Sequence, residues 1–264
     1  MDIFQTVVLA LIQGLTEFLP ISSSAHLLFP SELLDWSDQG LAFDVVLHLG
    51  TLSAVVYYYR ASLLLMTQDF FLSFETRQLT DDAKLAWGVL LGTIPVGLVG
   101  LLFKDFVEVN LRSVEVIAYA TLIFGLLLGF ADWAHRKKDK LREVISWSDV
   151  IVIGIFQAIA LVPGTSRSGI TITAALLLGL SYKLSLKFAF LLSIPVIILS
   201  TFLMSIDLVS SGDSIDWISL IMGFVVSGFV AYATISIFIR LVDRVGMLPF
   251  VFYRLLLGGL LFLL

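Results

Sequence analysis

Two short polar strings interrupt a chain that is otherwise nearly continuous hydrocarbon. The first runs Gln13-Gly14-Leu15-Thr16-Glu17-Phe18-Leu19-Pro20-Ile21-Ser22-Ser23-Ser24-Ala25-His26, and the second Pro163-Gly164-Thr165-Ser166-Arg167-Ser168-Gly169-Ile170-Thr171. A carboxylate, a histidine, an arginine and a row of hydroxyls are costly at membrane depth, so they mark chemistry or transport there. Gln13 and Glu17 are four apart and share a helix face. Pro20 ends that helix, and Ser22, Ser23 and Ser24 cap a returning helix whose first turn carries His26. In the second string Pro163-Gly164 ends one helix, Thr165 or Ser166 caps the next, and Arg167 stands at its start. A helix N-terminus offers free amide donors and the positive end of its dipole. Two such termini facing one another, with Arg167 as a bidentate clamp, suit a phosphate or diphosphate better than a neutral ligand.

A phosphate site becomes a hydrolase when it holds a nucleophile and a proton shuttle. Ser23 or His26 can attack phosphorus, His26 or Glu17 can act as general base and acid, and Arg167 can stabilise charge on the phosphoryl oxygens. Gln13 and Glu17 can also hold a divalent cation, Mg2+ or Ca2+, bridging two phosphates. Spacing does not choose among these roles. Ser22 and Ser24 read equally well as caps, and Glu17 with Arg167 has a purely structural alternative as an ion pair. Asp44 and His48, four apart, read equally as support for the site or as a structural pair. Tyr253-Arg254 reads as an anchor to a backbone carbonyl or a headgroup.

The elements that must position these residues are membrane helices. Of 264 residues 59% are hydrophobic and 14% charged, against about 25% charged in an ordinary soluble domain. The net charge of -5 argues against nucleic acid as a partner, and zero cysteines exclude disulfides, thiolate metal sites and cysteine catalysis. The first apolar stretch has no small-residue cleavage site after it and is read as retained.

Windows of roughly 17–25 apolar residues, enough to cross a bilayer, fall near 41–59, 85–103, 114–131, 186–206, 217–239 and 247–264. Residues 3–34 and 150–180 are broken midway by proline, glycine and serine. Both read as re-entrant hairpins whose tips line a cavity. Lysine and arginine place the loops at 60–84, 135–142, 181–187 and 240–246 inside, and the acidic loops 31–40 and 207–216 fall outside. Loop 104–113 is ambiguous. Trp36, Trp133, Trp147 and Trp217 sit at predicted span ends and read as an interfacial belt.

The expected fold is therefore an all-α polytopic membrane protein, one domain over 1–264, with six spans and two re-entrant hairpins. Gln13 to Pro20 followed by three serines echoes Gln157 to Pro163 followed by Ser166-Arg167-Ser168, and Gly92-Thr93-Ile94-Pro95 echoes Gly246-Met247-Leu248-Pro249. Each half has an odd number of spans, so 1–131 and 148–264 are predicted to be inverted repeats with their site where the two breaks meet.

The strings resemble the two signature motifs of the bacterial undecaprenyl-diphosphatase family of the bacitracin-resistance type. The resemblance runs the length of the chain, including Phe43-Asp44-Val45-Val46-Leu47-His48-Leu49-Gly50-Thr51 and the late Pro249-Phe250 and Tyr253-Arg254. It implies a multi-pass enzyme of the bacterial plasma (inner) membrane. Its lipid substrate would be undecaprenyl diphosphate, from which it removes one phosphate with a divalent cation at the periplasmic face. By the same resemblance Glu17, Ser23, His26, Ser166, Arg167 and Thr171 are active-site residues, with Ser22, Ser24 and Ser168 expected to contact substrate. Some members have an acidic residue where this chain has Gln13, which shifts weight to Glu17.

Membrane lipids are further expected partners, and a homodimer is an expected assembly. The competing reading is a secondary transporter or flippase for a lipid phosphate, because inverted repeats with broken helices are typical of transporters. A different lipid-phosphatase architecture would need a histidine with an aspartate four residues on. Of His26, His48 and His135 only His135 has one, Asp139, and that architecture would also need an Arg-Pro string, which does not occur in the chain.

Overall fold

Apolar runs broken only by short polar strings leave little for the chain to form except helices. The computed structural model describes residues 2–34, 36, 40–211 and 216–263. Asp35, Asp38 and Asp213, and the side chains of Glu32, Glu108 and Asp207, on which part of the loop-charge reading rests, lie outside what is described. In chain order the helices are α1 (Ile3–Thr16), α2 (Ser23–Leu34), α3 (Leu41–Tyr58), α4 (Arg60–Thr76), α5 (Asp81–Leu102), α6 (Lys104–Asn110), α7 (Val114–Arg136), α8 (Trp147–Ile159), α9 (Arg167–Leu177), α10 (Tyr182–Ser211), α11 (Trp217–Val245) and α12 (Leu248–Leu261). Among the described residues there is no strand, only an isolated bridge between Arg142 and Leu180.

Five helices, α3, α5, α7, α10 and α11, are long and apolar enough to cross a membrane. The span expected near 247–264 differs. Gly246 turns the chain at φ 63° and Pro249 restarts it, so α12 has 14 residues, roughly 21 Å of helix against a hydrocarbon core of about 30 Å. The segment 60–84, expected to be a loop, instead contains the 17-residue α4. Its Phe70 and Phe74 pack on Trp87 of α5, and Thr80, the cap of α5, donates to Asp69.

The two broken regions start alike. Asp2 and Gln5 form a capping box at α1, and Ser146 and Asp149 form one at α8, so each first helix begins with two amide donors satisfied reciprocally. The first helix of each pair then packs on a long helix from the other half of the chain, α1 on α11 and α8 on α5. Small residues permit the approach. A Cβ on Gly154 of α8 would lie 2.8 Å from the carbonyl of Gly92 on α5, the close backbone contact favoured between membrane helices.

Through the middle runs α10, packed on α3, α5 and α9, with Phe188, Phe190, Leu191 and Leu192 fully buried. The basic loops gather at one end. Arg142 grips Asp149 with two bonds of 2.6 and 2.7 Å, Lys138 donates to the carbonyl of Leu177, and Arg136 donates to buried Asp132 and to the carbonyl of Val245. Buried Asp132 also accepts from Tyr182 at 2.5 Å and from the amide of Met247 at 3.1 Å, tying the turns after α9 and α11 together.

Candidate active site

The two polar strings meet. Arg167 Nη2 donates to Glu17 Oε1 at 2.5 Å, Ser168 Oγ to the carbonyl of Leu19 at 2.9 Å, and the amide of Gly164 to Ser24 Oγ at 3.3 Å. Both breaks bend through a serine in the left-handed region, Ser22 at φ 72° and Ser166 at φ 69°. Such a conformation costs a residue with a Cβ about 1–3 kcal/mol, and it clusters at sites where the backbone is held for function. Each strained serine pairs with the hydroxyl two residues on, Ser22 with Ser24 at 3.0 Å and Ser166 with Ser168 at 3.2 Å. Ser166 also accepts from the amide of Gly169, capping α9.

Gly164 makes the second break possible. Its φ is +90°, and a Cβ there would sit 2.4 Å from the carbonyl oxygen of Ile117. Gly164→Ala is expected to lower stability by roughly 3 kcal/mol or more through strain and collision together. Gly259→Ala, where a Cβ meets nothing within 4 Å, should be nearly silent. Thermal unfolding of the two variants in detergent checks the contrast, and equal melting temperatures would contradict it.

Between the breaks lies a cavity of about 200 Å³. Its polar lining is Glu17, Ser22, Ser23, Ser24, His48, Ser166, Arg167 and Ser200. Glu17 is the organiser. Its Oε2 accepts from Ser23 Oγ at 3.1 Å and from Gln13 Nε2 at 3.0 Å, while its Oε1 takes Arg167. With their side chains only 8% and 12% exposed, the carboxylate and guanidinium need each other. Arg167 keeps its Nη1 buried with no hydrogen-bond partner among the described residues.

The remaining sequence-derived candidates fall into two groups. Gln13 is fully buried behind Glu17, and Ser168 and Thr171 are buried as well. Thr171 donates to the carbonyls of Arg167 and Ser168 at 2.8 and 3.1 Å, which places it as support for the start of α9. His26 is not among the side chains lining the cavity. Its Nδ1 lies 2.7 Å from the carbonyl of Ser22, its Nε2 lies 2.7 Å from Tyr253 Oη, and the two rings stack. A carbonyl only accepts, so Nδ1 carries the proton of the neutral ring and the tyrosine donates to Nε2.

Two residues gain importance from the fold. His48 lines the cavity beside Glu17, with Nδ1 held 2.8 Å from the carbonyl of Asp44. Arg254, fully buried, donates to the carbonyls of Pro20, Gly164 and Thr165 at the breaks and of Ala120 and Thr121 on α7. The sequence signal for both was present only as a charge or an imidazole inside an apolar run.

The cavity continues into an apolar groove of about 670 Å³ between α5 and α10, the two sharing Val96, Leu161, Val196 and Ser200. The groove runs to Leu41, Leu101 and Met204, with Lys104 and Arg112 at its margin. These are the helix ends remote from the cluster of basic loops.

A family model described as "Bacitracin resistance protein BacA" matches residues 6–260. The chain belongs to the BacA family. Relatives agree over their full length. A protein named undecaprenyl-diphosphatase from Vesicomyosocius okutanii subsp. Calyptogena okutanii (strain HA) is 61% identical over 264 residues, covering 100% of both chains. Undecaprenyl-diphosphatase 2 of Stutzerimonas stutzeri (strain A1501) is 53% identical, over 100% of this chain and 98% of its own. A further undecaprenyl-diphosphatase, from Nitrosococcus oceani (strain ATCC 19707 / BCRC 17464 / JCM 30415 / NCIMB 11848 / C-107), is 51% identical over 99% of this chain and 98% of its own. For this BacA-family chain, the resemblance read from its two polar strings thus extends to the whole sequence.

Proposed function

We infer that this chain hydrolyses undecaprenyl diphosphate to undecaprenyl phosphate and inorganic phosphate, recycling the lipid carrier for peptidoglycan and other cell-wall polymers. Such an activity accords with a bacitracin-resistance family. The observation that carries the reading is the junction of two unlike spaces. A small cavity with an arginine, five serines and two helix N-termini opens into a long apolar groove. A diphosphate head on a hydrocarbon tail has that shape and polarity, and the donors suit its anionic oxygens.

In this mechanism Arg167 and the amides starting α2 and α9 hold the terminal phosphate. Ser23 Oγ bonds to the terminal phosphorus, and the bond from that phosphorus to the bridging oxygen breaks. The bridging oxygen leaves with the electron pair, as undecaprenyl phosphate. Glu17 Oε2, already accepting the Ser23 hydrogen bond, receives its proton. Water then frees inorganic phosphate from Ser23.

Gln13 and Glu17 fit a divalent cation. The Gln13 Oε1 atom is buried with no hydrogen-bond partner among the described residues, while its Nε2 donates to Glu17, so exchanging the two amide atoms would set Oε1 beside the carboxylate. No group of three His, Cys, Asp or Glu side chains gathers among the described residues, so phosphate oxygens would have to complete the shell, as they do in many Mg2+ sites. Bound there, the cation would neutralise charge developing on the phosphate. Chelation is expected to lower phosphate release by more than about tenfold, with recovery on adding Mg2+ or Ca2+. An unaltered rate in chelator would remove the cation from the reaction.

The topology proposed is six crossings, with α12 as the sixth, and two re-entrant pairs in inverted repeats over 1–131 and 148–264. The reciprocal packing of α1 on α11 and α8 on α5, the matched capping boxes and the matched strained serines support it. A periplasmic opening, in the inner membrane, is supported by the groove running away from the basic loops, which collect on the cytoplasmic side. Release of phosphate by purified protein from prenyl diphosphates tests the enzyme against the transporter reading. Transport of a lipid phosphate without phosphate release would reject hydrolysis.

A further inference from the structure

We propose that His48 is the proton acceptor on the side of phosphorus opposite Ser23, and that it activates the water which frees phosphate from that serine. The proposal rests on the phosphatase reading above. In-line displacement puts attacking and leaving oxygens on opposite sides of phosphorus. Glu17 Oε2 is hydrogen-bonded to Ser23 Oγ at 3.1 Å, so it serves the serine side in both half-reactions. It takes the serine proton as the first bond forms, and returns it as Ser23 leaves. The water enters where the bridging oxygen departed, and a second acceptor is required there.

The titratable side chains lining the cavity are Glu17, His48 and Arg167. Arg167 has no lone pair to offer. His48 has one. The contact of its Nδ1 with the Asp44 carbonyl fixes the proton of the neutral ring on Nδ1, leaving Nε2 as a base. Among the described residues no hydrogen bond engages that Nε2, in contrast to His26, whose Nε2 is occupied by Tyr253.

Apart from Glu17 and Arg167, the described residues that line the cavity with His48 are uncharged. Facing it are Glu17 from α1 and Arg167 from α9, while α5 and α10 contribute Val96, Val196, Ile197 and Ser200 to the same cavity. Along α11, which packs on α3, no charged residue occurs between Trp217 and Ile239. Asp44, on α3 itself, meets the ring through its backbone.

The step balances. The water oxygen bonds to phosphorus, and the Ser23 Oγ–P bond breaks with its electron pair on Oγ. One water proton goes to His48 Nε2, and the proton held by Glu17 returns to Ser23. His48 then releases its proton to solvent. One water is consumed and one inorganic phosphate is released.

The test compares wild type, Ser23→Ala, His48→Gln and His48→Asn as purified full-length proteins turning over a prenyl diphosphate. Both His48 variants should lose about 10²–10⁴-fold in steady-state release while still completing a first turnover. The protein then accumulates one phosphoryl group per chain on Ser23, visible as a mass increase absent from Ser23→Ala. Wild-type turnover in either folded variant, or loss of turnover with no phosphoryl group on the protein, overturns the proposal. Failure of the wild type to release phosphate would instead reject the phosphatase reading itself, so the two failures are distinguishable.

Discussion

Arg167→Lys is expected to lose nearly as much phosphate release as Arg167→Ala, about 10²–10³-fold in kcat for each. Lysine keeps the charge, so a site that needed only a positive potential would tolerate it. The geometry asks for more. One guanidinium nitrogen, Nη2, is committed to Glu17 at 2.5 Å, and the other, Nη1, is buried without a partner. In the proposed mechanism two separate duties fall on one planar group: holding the carboxylate bonded to Ser23, and donating to phosphate. An ammonium is a single point that can satisfy one of them. Lysine that stays with Glu17 abandons the phosphate, and lysine that turns to the phosphate leaves a buried carboxylate unpaired. Phosphate release at saturating prenyl diphosphate, with thermal unfolding alongside, measures this. A lysine variant within a few-fold of wild type would reduce Arg167 to a general positive charge.

The same residues show what could be read before the fold was known. The pairing of Gln13 with Glu17 follows from helical spacing, and the structure has it at 3.0 Å. The breaks near Pro20 and Pro163-Gly164 follow from residues that disfavour a helix, although α1 ends at Thr16 and α8 at Ile159, about one turn before the prolines expected to end them. That the two strings touch follows from the cost of an arginine at membrane depth, and Glu17 is the partner it finds.

Other features were hidden for physical reasons. His48 carries the same i, i+4 relation to Asp44 that suggested a side-chain pair, yet its ring is held by the Asp44 carbonyl and faces the cavity. Spacing along one helix does not say which face a neighbour covers. His26, four residues from Ser22, turns to Tyr253, a partner 227 positions away that no local pattern encodes. In α4, charges at both ends disguised a helix whose Phe70 and Phe74 pack on Trp87. The shortness of α12 likewise came from a turn at Gly246 that hydropathy does not register.

Arg254→Met should unfold more easily than wild type and should lose activity without touching substrate. Arg254 is fully buried, and its guanidinium donates to five carbonyls, at 2.8 and 2.9 Å to Thr165 and Gly164, 3.1 Å to Thr121 and 3.4 Å to Pro20 and Ala120. Pro20 belongs to the first break and Gly164 and Thr165 to the second, so one side chain on α12 joins both breaks to α7. The helical carbonyls of Ala120 and Thr121 can fall back on their own helix, but those at the breaks have no regular ladder to return to. Each buried polar group left unpaired costs about 1–3 kcal/mol. Methionine nearly matches the volume and removes the cost of burying a charge, which offsets part of the loss. A net destabilisation of about 3 kcal/mol remains, a fall of roughly 10 °C in melting temperature. Arg254→Lys retains the charge with a single nitrogen and should fall between methionine and wild type. Melting curves in detergent and phosphate release decide the point. A methionine variant as stable and as active as wild type would mean that the breaks hold their shape through contacts such as Glu17–Arg167, Ser168–Leu19 and Ser24–Gly164 without Arg254.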